Sequence, residues 1–180
     1  MRSRHALLPL LLALTLAACG GGGGGSGPTA PPPPTAGIVF TPQGTPGANT
    51  LYLASGAATT TTTLVLEVRA SQMTDLYGVA FNLTYPSAQL QFVRATAGPL
   101  LGNGAVQAAV SSPPGTLIVG GTHLGSVPGA NGSGVVMTLE FTAVAAGSGS
   151  FAFTRNSALD SSGRPIASVA WLAGSVSVTL

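Results

Sequence analysis

The chain has 180 residues, of which only 6% are charged: six arginines against four acids, and no lysine. Charge this sparse, with no basic cluster, argues against nucleic acid as a partner, because that binding rests on neutralising phosphates with Lys and Arg. A single cysteine rules out an internal disulfide, so the fold must rest on its core alone.

The first segment carries Arg2 and Arg4, then an apolar run from Ala6 to Ala18, then Cys19. A charged start, a short apolar stretch and small residues before a cut are the layout of a secretory signal peptide. The run is shorter than the roughly 20 residues a membrane span needs. The sequence Leu16-Ala17-Ala18-Cys19-Gly20 resembles the lipobox of bacterial lipoproteins. That resemblance implies cleavage before Cys19, diacylation of its thiol, and a membrane anchor made durable by several acyl chains. Gly20 stands where many inner-membrane lipoproteins of Gram-negative bacteria carry Asp. The resemblance therefore implies the outer membrane or cell surface of a bacterial envelope.

Residues 1–18 are accordingly read as a lipoprotein signal peptide. Residues 19–36 are read as the lipidated cysteine and a tether of six glycines followed by a proline run. Glycines make a chain flexible and prolines hold it extended. Residues 37–180 remain for one domain, enough for a real core. Once Arg2 and Arg4 are removed, Arg69, Arg94, Arg155 and Arg164 balance Glu67, Asp75, Glu140 and Asp160.

From Gly37 onward no segment has the period of a helix. Short alternating stretches are separated by Gly, Pro, Ser and Asn clusters, the spacing of an all-β sandwich or barrel. The predicted strands are 37–41, 62–70, 76–85, 89–96, 104–111, 115–123, 134–145, 149–155 and 168–179. Val79, Phe81, Leu83 and Tyr85 share one face, with Ala80, Asn82 and Thr84 on the other. Val135, Met137, Leu139 and Phe141 share a face opposite Val136, Thr138, Glu140 and Thr142. One apolar face per strand marks sheets packed on a core from one side. The threonine run from Thr59 to Thr63 is read as an edge or a loop.

Little in the domain points to catalysis. It has one histidine, His123, and four acids, with no cluster at metal-ligand spacing and no nucleophile elbow. Glu67 and Glu140 fall on polar strand faces, and Asp75 and Asp160 at turns. Asp160, Ser161 and Asn156 could offer oxygens to calcium, but the acid count is poor for a hard cation. The expectation is no catalytic residue, no metal and no cofactor. Tyr77, Tyr85 and Trp171 lie in apolar strands, where core packing is favoured over stacking on sugars.

The segment from Leu66 to Val93 reads LEVRASQMTDLYGVAFNLTYPSAQLQFV. Its Gly-Val-x-Phe-x-Leu-x-Tyr-Pro followed by a Leu-x-Phe-Val strand resembles the cohesin domain. Ala97-Gly98-Pro99-Leu100-Leu101, Gly132-Ser133-Gly134 with Val136 to Phe141, and Leu159-Asp160-Ser161-Ser162-Gly163 are similar to later motifs of that family, in order. The likeness spans about 37–180. It implies a nine-stranded jelly-roll β-sandwich, related in fold to carbohydrate-binding modules, that captures a dockerin on one sheet face without catalysis. Carried onto this chain, that face includes Gly78, Ala80 and Asn82, with Gly121 and His123 on a neighbouring strand. Family members place Asn and Asp where Gly78 and Ala80 stand here, and the Asp of Tyr-Asp-Pro is missing between Tyr85 and Pro86.

The expected function is a membrane-anchored binding module for a dockerin-like protein, in polysaccharide degradation or surface assembly. A polysaccharide-binding module is the alternative; it requires exposed, coplanar aromatics. A monomer is expected.

Overall fold

The computed structural model describes residues 35–102 and 105–180; Cys19 and most of the tether lie outside them. Alternation of apolar and polar residues carries the described chain through eleven strands. They are β1 (Gly37–Pro42), β2 (Thr50–Ser55), β3 (Thr63–Leu76), β4 (Gly78–Thr84), β5 (Leu90–Ala97), β6 (Val106–Ser111), β7 (Thr116–Thr122), β8 (Ala130–Ala143), β9 (Gly147–Leu159), β10 (Ala170–Leu172) and β11 (Gly174–Thr179). A short 3-10 turn, Pro99–Leu101, follows β5.

The strands form two sheets, in the orders β1-β11-β9-β4-β7-β6 and β10-β2-β3-β8-β5. Neighbours are antiparallel except β10 and β2, which are parallel. This is the expected all-β sandwich, with two strands beyond the nine predicted. The first addition is β2, where Leu51 and Leu53 are fully buried and Tyr52 faces out. The second comes from the predicted strand 168–179, which breaks at Ala173. Its first part joins the five-stranded sheet and its second the six-stranded one.

Two further corrections concern register. The strand predicted to end at residue 70 continues to Leu76, through register shifts after Ala70 and Met73. In β8 a bulge opposite Val68 and Arg69 reverses the expected sides of two valines: Val136 is buried and Val135 half-buried. The threonine run makes the turn between β2 and β3. Thr60 Oγ1 accepts the N–H groups of Thr62 and Thr63, and Thr59 Oγ1 bonds both main-chain groups of Val65.

Among the described residues the core runs from Phe40 to Val178, within one compact unit, Pro34–Leu180. Phe141 on β8 is fully buried, with ring centroids 5.2 Å from Tyr85, 5.7 Å from Phe92 and 5.7 Å from Phe151. A second aromatic group joins Phe81, Phe153 and Trp171 at 5.1–5.8 Å. Edge-to-face and tilted pairs of this kind add to the area term that closes the two sheets.

The outer face of the five-stranded sheet carries two ion pairs. Glu67 pairs with Arg69, which also donates to Tyr52 Oη at 3.3 Å, and Arg94 pairs with Glu140 at 2.7 Å. Exposed pairs contribute about 0–1 kcal/mol each, so they keep this face soluble more than they hold it together.

Candidate partner-binding face

The outer face of the six-stranded sheet is built differently. On β4, Val79, Phe81 and Leu83 point into the core. Gly78, Ala80, Asn82 and Thr84 therefore line the outer side. Register with β7 sets Gly78 against Thr122, Ala80 against Gly120 and Asn82 against Ile118. Register of β7 with β6 adds Val106 beside Thr122, Ala108 beside Gly120 and Val110 beside Ile118. β4, β6 and β7 contain no charged residue.

An open groove of about 480 Å³ runs over these strands, lined by Gly78, Ala80, Val106, Ala108, Gly120 and Thr122, with Leu159 at one end. Its floor exists because Gly120 has no side chain; a Cβ there would meet nothing within 4 Å. Val106, Val110 and Ile118 are each about half exposed, at 47%, 57% and 50%. A run of half-exposed aliphatic residues around a small-residue groove is the kind of apolar surface that marks an interaction site.

Of the residues singled out from the sequence, Gly78, Ala80 and Asn82 lie on this face. Gly121 does not. It is buried on the core side, where an added Cβ would sit 3.2 Å from Met137 Cε and 3.7 Å from Val79 Cγ2. Its neighbours Gly120 and Thr122 hold the outward positions. His123 is also off the face. It follows β7, donates its main-chain N–H to Tyr77 O, and sets its ring 5.4 Å from that of Tyr77, tilted by 41°, with Nε2 buried and unpartnered. Leu117 and Val119, one period before Gly121, are the signal that assigns the sides correctly.

The loops beside Gly78 and Thr122 are held by Asp75. One carboxylate oxygen accepts from Gly129 N–H at 2.9 Å; the other accepts from the Ser161 hydroxyl at 2.8 Å and the Ser161 N–H at 3.2 Å. The Asp75 N–H in turn donates to Asn131 Oδ1. The end of β3 and two connections, β7–β8 and β9–β10, thus meet at one side chain. The Ser161 hydroxyl, then its N–H and that of Gly129, hold the Asp75 carboxyl below the ordinary carboxylate value. A depressed folded-state value means the charged form stabilises the fold. That contribution is complete above the unfolded-state value and is lost as pH falls through the folded one. Asp75→Asn, which tolerates the left-handed backbone at this position (φ 54°), should lower the melting temperature at neutral pH. The gap to wild type should close as the pH is lowered through the carboxylate range. A gap that stays constant with pH would show that the charge is not what clamps the loops.

Asp160 caps its own turn, accepting the N–H groups of Ser162 and Arg164. Among the described residues no three His, Cys, Asp or Glu side chains cluster as for a metal. Glu67 and Glu140 are paired with arginines on the opposite sheet. Among the described residues no aromatic side chain is exposed. Tyr85 is buried, Tyr52 and Tyr77 are half-buried, and Trp171 packs on Phe81 and Phe153.

Known proteins agree with this architecture. The family model of the cohesin domain matches residues 50–178. The structure is similar to the second type II cohesin module of the adaptor ScaA scaffoldin of Acetivibrio cellulolyticus, with TM-score 0.58 and 17% identity over 70% of this chain and 87% of that one. It is also similar to the sixth cohesin of scaffoldin B of the same organism, solved in complex with a mutant Cel5 dockerin, with TM-score 0.57 and 19% identity over 79% and 99%. A non-cellulosomal cohesin from the archaeon Archaeoglobus fulgidus matches with TM-score 0.53 and 15% identity over 76% and 88%. No curated protein matches the chain.

Proposed function

This chain belongs to the cohesin domain family, and from that premise we propose that its sandwich is a non-catalytic module that captures a dockerin-type protein on the outer face of the six-stranded sheet. The observation that carries the reading is the uncharged groove floored by Gly120 and Ala80, flanked by half-exposed Val106, Val110 and Ile118. Structural relatives of this fold occur in complexes with dockerins, which supports a protein partner of that type. With Gly78 and Ala80 where other cohesins carry Asn and Asp, binding here rests on apolar area and shape more than on polar contacts.

Polysaccharide binding has weaker support, since no exposed aromatic among the described residues offers a sugar a stacking surface. The test is calorimetric titration of residues 35–180 with single dockerin modules of the source organism. Saturable binding in the micromolar range or tighter is expected for at least one module. Heats indistinguishable from dilution for all of them would overturn the reading.

The placement of this module belongs to the same proposal. Cys19 carries the lipid, and the Gly/Pro-rich segment holds the domain off a bacterial envelope membrane, displaying the face to secreted partners. Cys19→Ser should move the protein from the membrane fraction to the soluble one, measured by fractionation and by loss of labelled palmitate. An unchanged distribution would sink the anchor.

A further inference from the structure

Four strands form the sheet edges: β1 and β6 in one sheet, β10 and β5 in the other. An open edge is a template for another strand, and proteins blunt it with charge, proline, a bulge or brevity. Three of these four are blunted. β10 has three residues. β5 carries Arg94 beside a register break. β1 ends in Pro42. β6, Val106-Gln107-Ala108-Ala109-Val110-Ser111, has none of these devices, and all of it pairs with β7 without a break.

The register shows which main-chain groups are open. Just past β6, the Ser112 N–H donates to Thr116 O. By the two-residue period of the ladder, Val110, Ala108 and Val106 also aim their main-chain groups at β7. Gln107, Ala109 and Ser111 then aim theirs away from the sheet.

The geometry points to a second copy of this chain as the occupant, paired antiparallel through β6 about a two-fold axis at Ala109. That register sets Gln107 against Ser111 of the second copy and Ala109 against itself, so every outward main-chain group of these residues meets a complement. A small side chain sits on the axis, and Ala108 faces Val110 on the outer side. Gln107 Oε1 is buried without a hydrogen-bond partner, on the side of the strand that Ser111 of the second copy joins. The charges permit this arrangement at β6. β6 and β7 are uncharged, whereas the same operation on β5 would bring Arg94 towards its own copy.

A six-residue edge is only about 20 Å long. It buries well under the roughly 1,600 Å² of a standard interface, so the dimer is weak and forms as concentration rises. It replaces the expected monomer and sets two grooves side by side on one continuous sheet, independently of what the grooves bind.

Sedimentation velocity of residues 35–180 over a wide concentration range tests this. Two variants accompany it: Ala109→Pro deletes an edge-facing N–H that β7 does not use, and Val110→Lys brings like charges together across the axis. The wild-type sedimentation coefficient should climb towards that of a dimer, with both variants staying monomeric. In the wild type, amide exchange at Gln107, Ala109 and Ser111 should slow at high concentration, which decides the question even if a variant fails to fold. A wild type that stays monomeric, self-association that survives in both variants, or exchange at those amides independent of concentration would each overturn the proposal.

Discussion

Replacing Ala80 with arginine should abolish capture of a dockerin-type partner and leave the fold intact. Ala80 is exposed at the middle of β4, between Gly120 on one side and Ser157 on the other. An arginine there meets water in the free protein, so the change in stability should stay within about 0.5 kcal/mol. In the complex the same guanidinium would be pressed into a groove with no carboxylate on β4, β6 or β7 to receive it. Burying an unpaired charge is expensive, and a substitution at the centre of an interface costs at least about 2–3 kcal/mol, on the order of a hundredfold in Kd. Gly120→Trp makes the complementary test. It adds bulk and no charge, at a position where a Cβ meets nothing within 4 Å. If the groove is the site, both variants lose binding in calorimetry and both melt like the wild type. Binding retained by both would place the partner on another surface. Loss by Ala80→Arg alone would mean that the face is covered but the groove is not filled.

How much of this was legible in the sequence depends on whether an apolar residue marked each side of a strand. β4 reads Val79-x-Phe81-x-Leu83, and its outer row of Gly78, Ala80 and Asn82 follows from period two alone. β7 carries Gly120-Gly121 near its end, where neither residue announces its side. There the assignment slipped by one, and a slip of one residue moves a position to the opposite face. The resemblance to the family put the proposed face on this sheet, but the sides of these two glycines had to come from Leu117 and Val119. The same weakness hid β2. Its buried pair is only Leu51 and Leu53, set between Gly47-Ala48-Asn49 and a long threonine run that reads as loop.

The break at Ala173 was not legible for a different reason. Residues 168–179 form one apolar, strand-prone run, and nothing local says that it changes sheets. Gly174 is the cause in space: a Cβ there would fall 2.5 Å from Phe40 Cζ and 2.5 Å from Thr41 O. Only a residue without a side chain lets the strand cross to β1 so closely. That constraint comes from a residue more than a hundred positions earlier, beyond the reach of periodicity. The clamp at Asp75 has the same character, since its partners Gly129 and Ser161 lie 54 and 86 residues away.

Phe141→Ala should be the most destabilising single truncation in the domain. The side chain is fully buried and touches aromatic rings from three directions, Tyr85, Phe92 and Phe151. Phe151 belongs to the opposite sheet and passes the contact on to Phe40 at 5.9 Å. Removing the ring forfeits its transfer free energy and leaves a cavity walled by rigid rings that cannot collapse into it. The cost expected for such a site is about 3–5 kcal/mol. Against the 5–15 kcal/mol that usually holds a domain together, that is a large share. It should lower the melting temperature by roughly 10–15 °C and shift the urea midpoint with an unchanged slope. Phe92→Ala supplies the internal scale. Phe92 touches the same ring but is half-buried near the edge strand, so its loss should be distinctly smaller. Equal effects would mean that the core is not centred on Phe141. Partner binding measured well below the melting transition should be unchanged in Phe141→Ala. The ring holds the two sheets together from inside, whereas Ala80 and Gly120 act from outside, and one protein family's binding face is separable from its core only if those two readouts move independently.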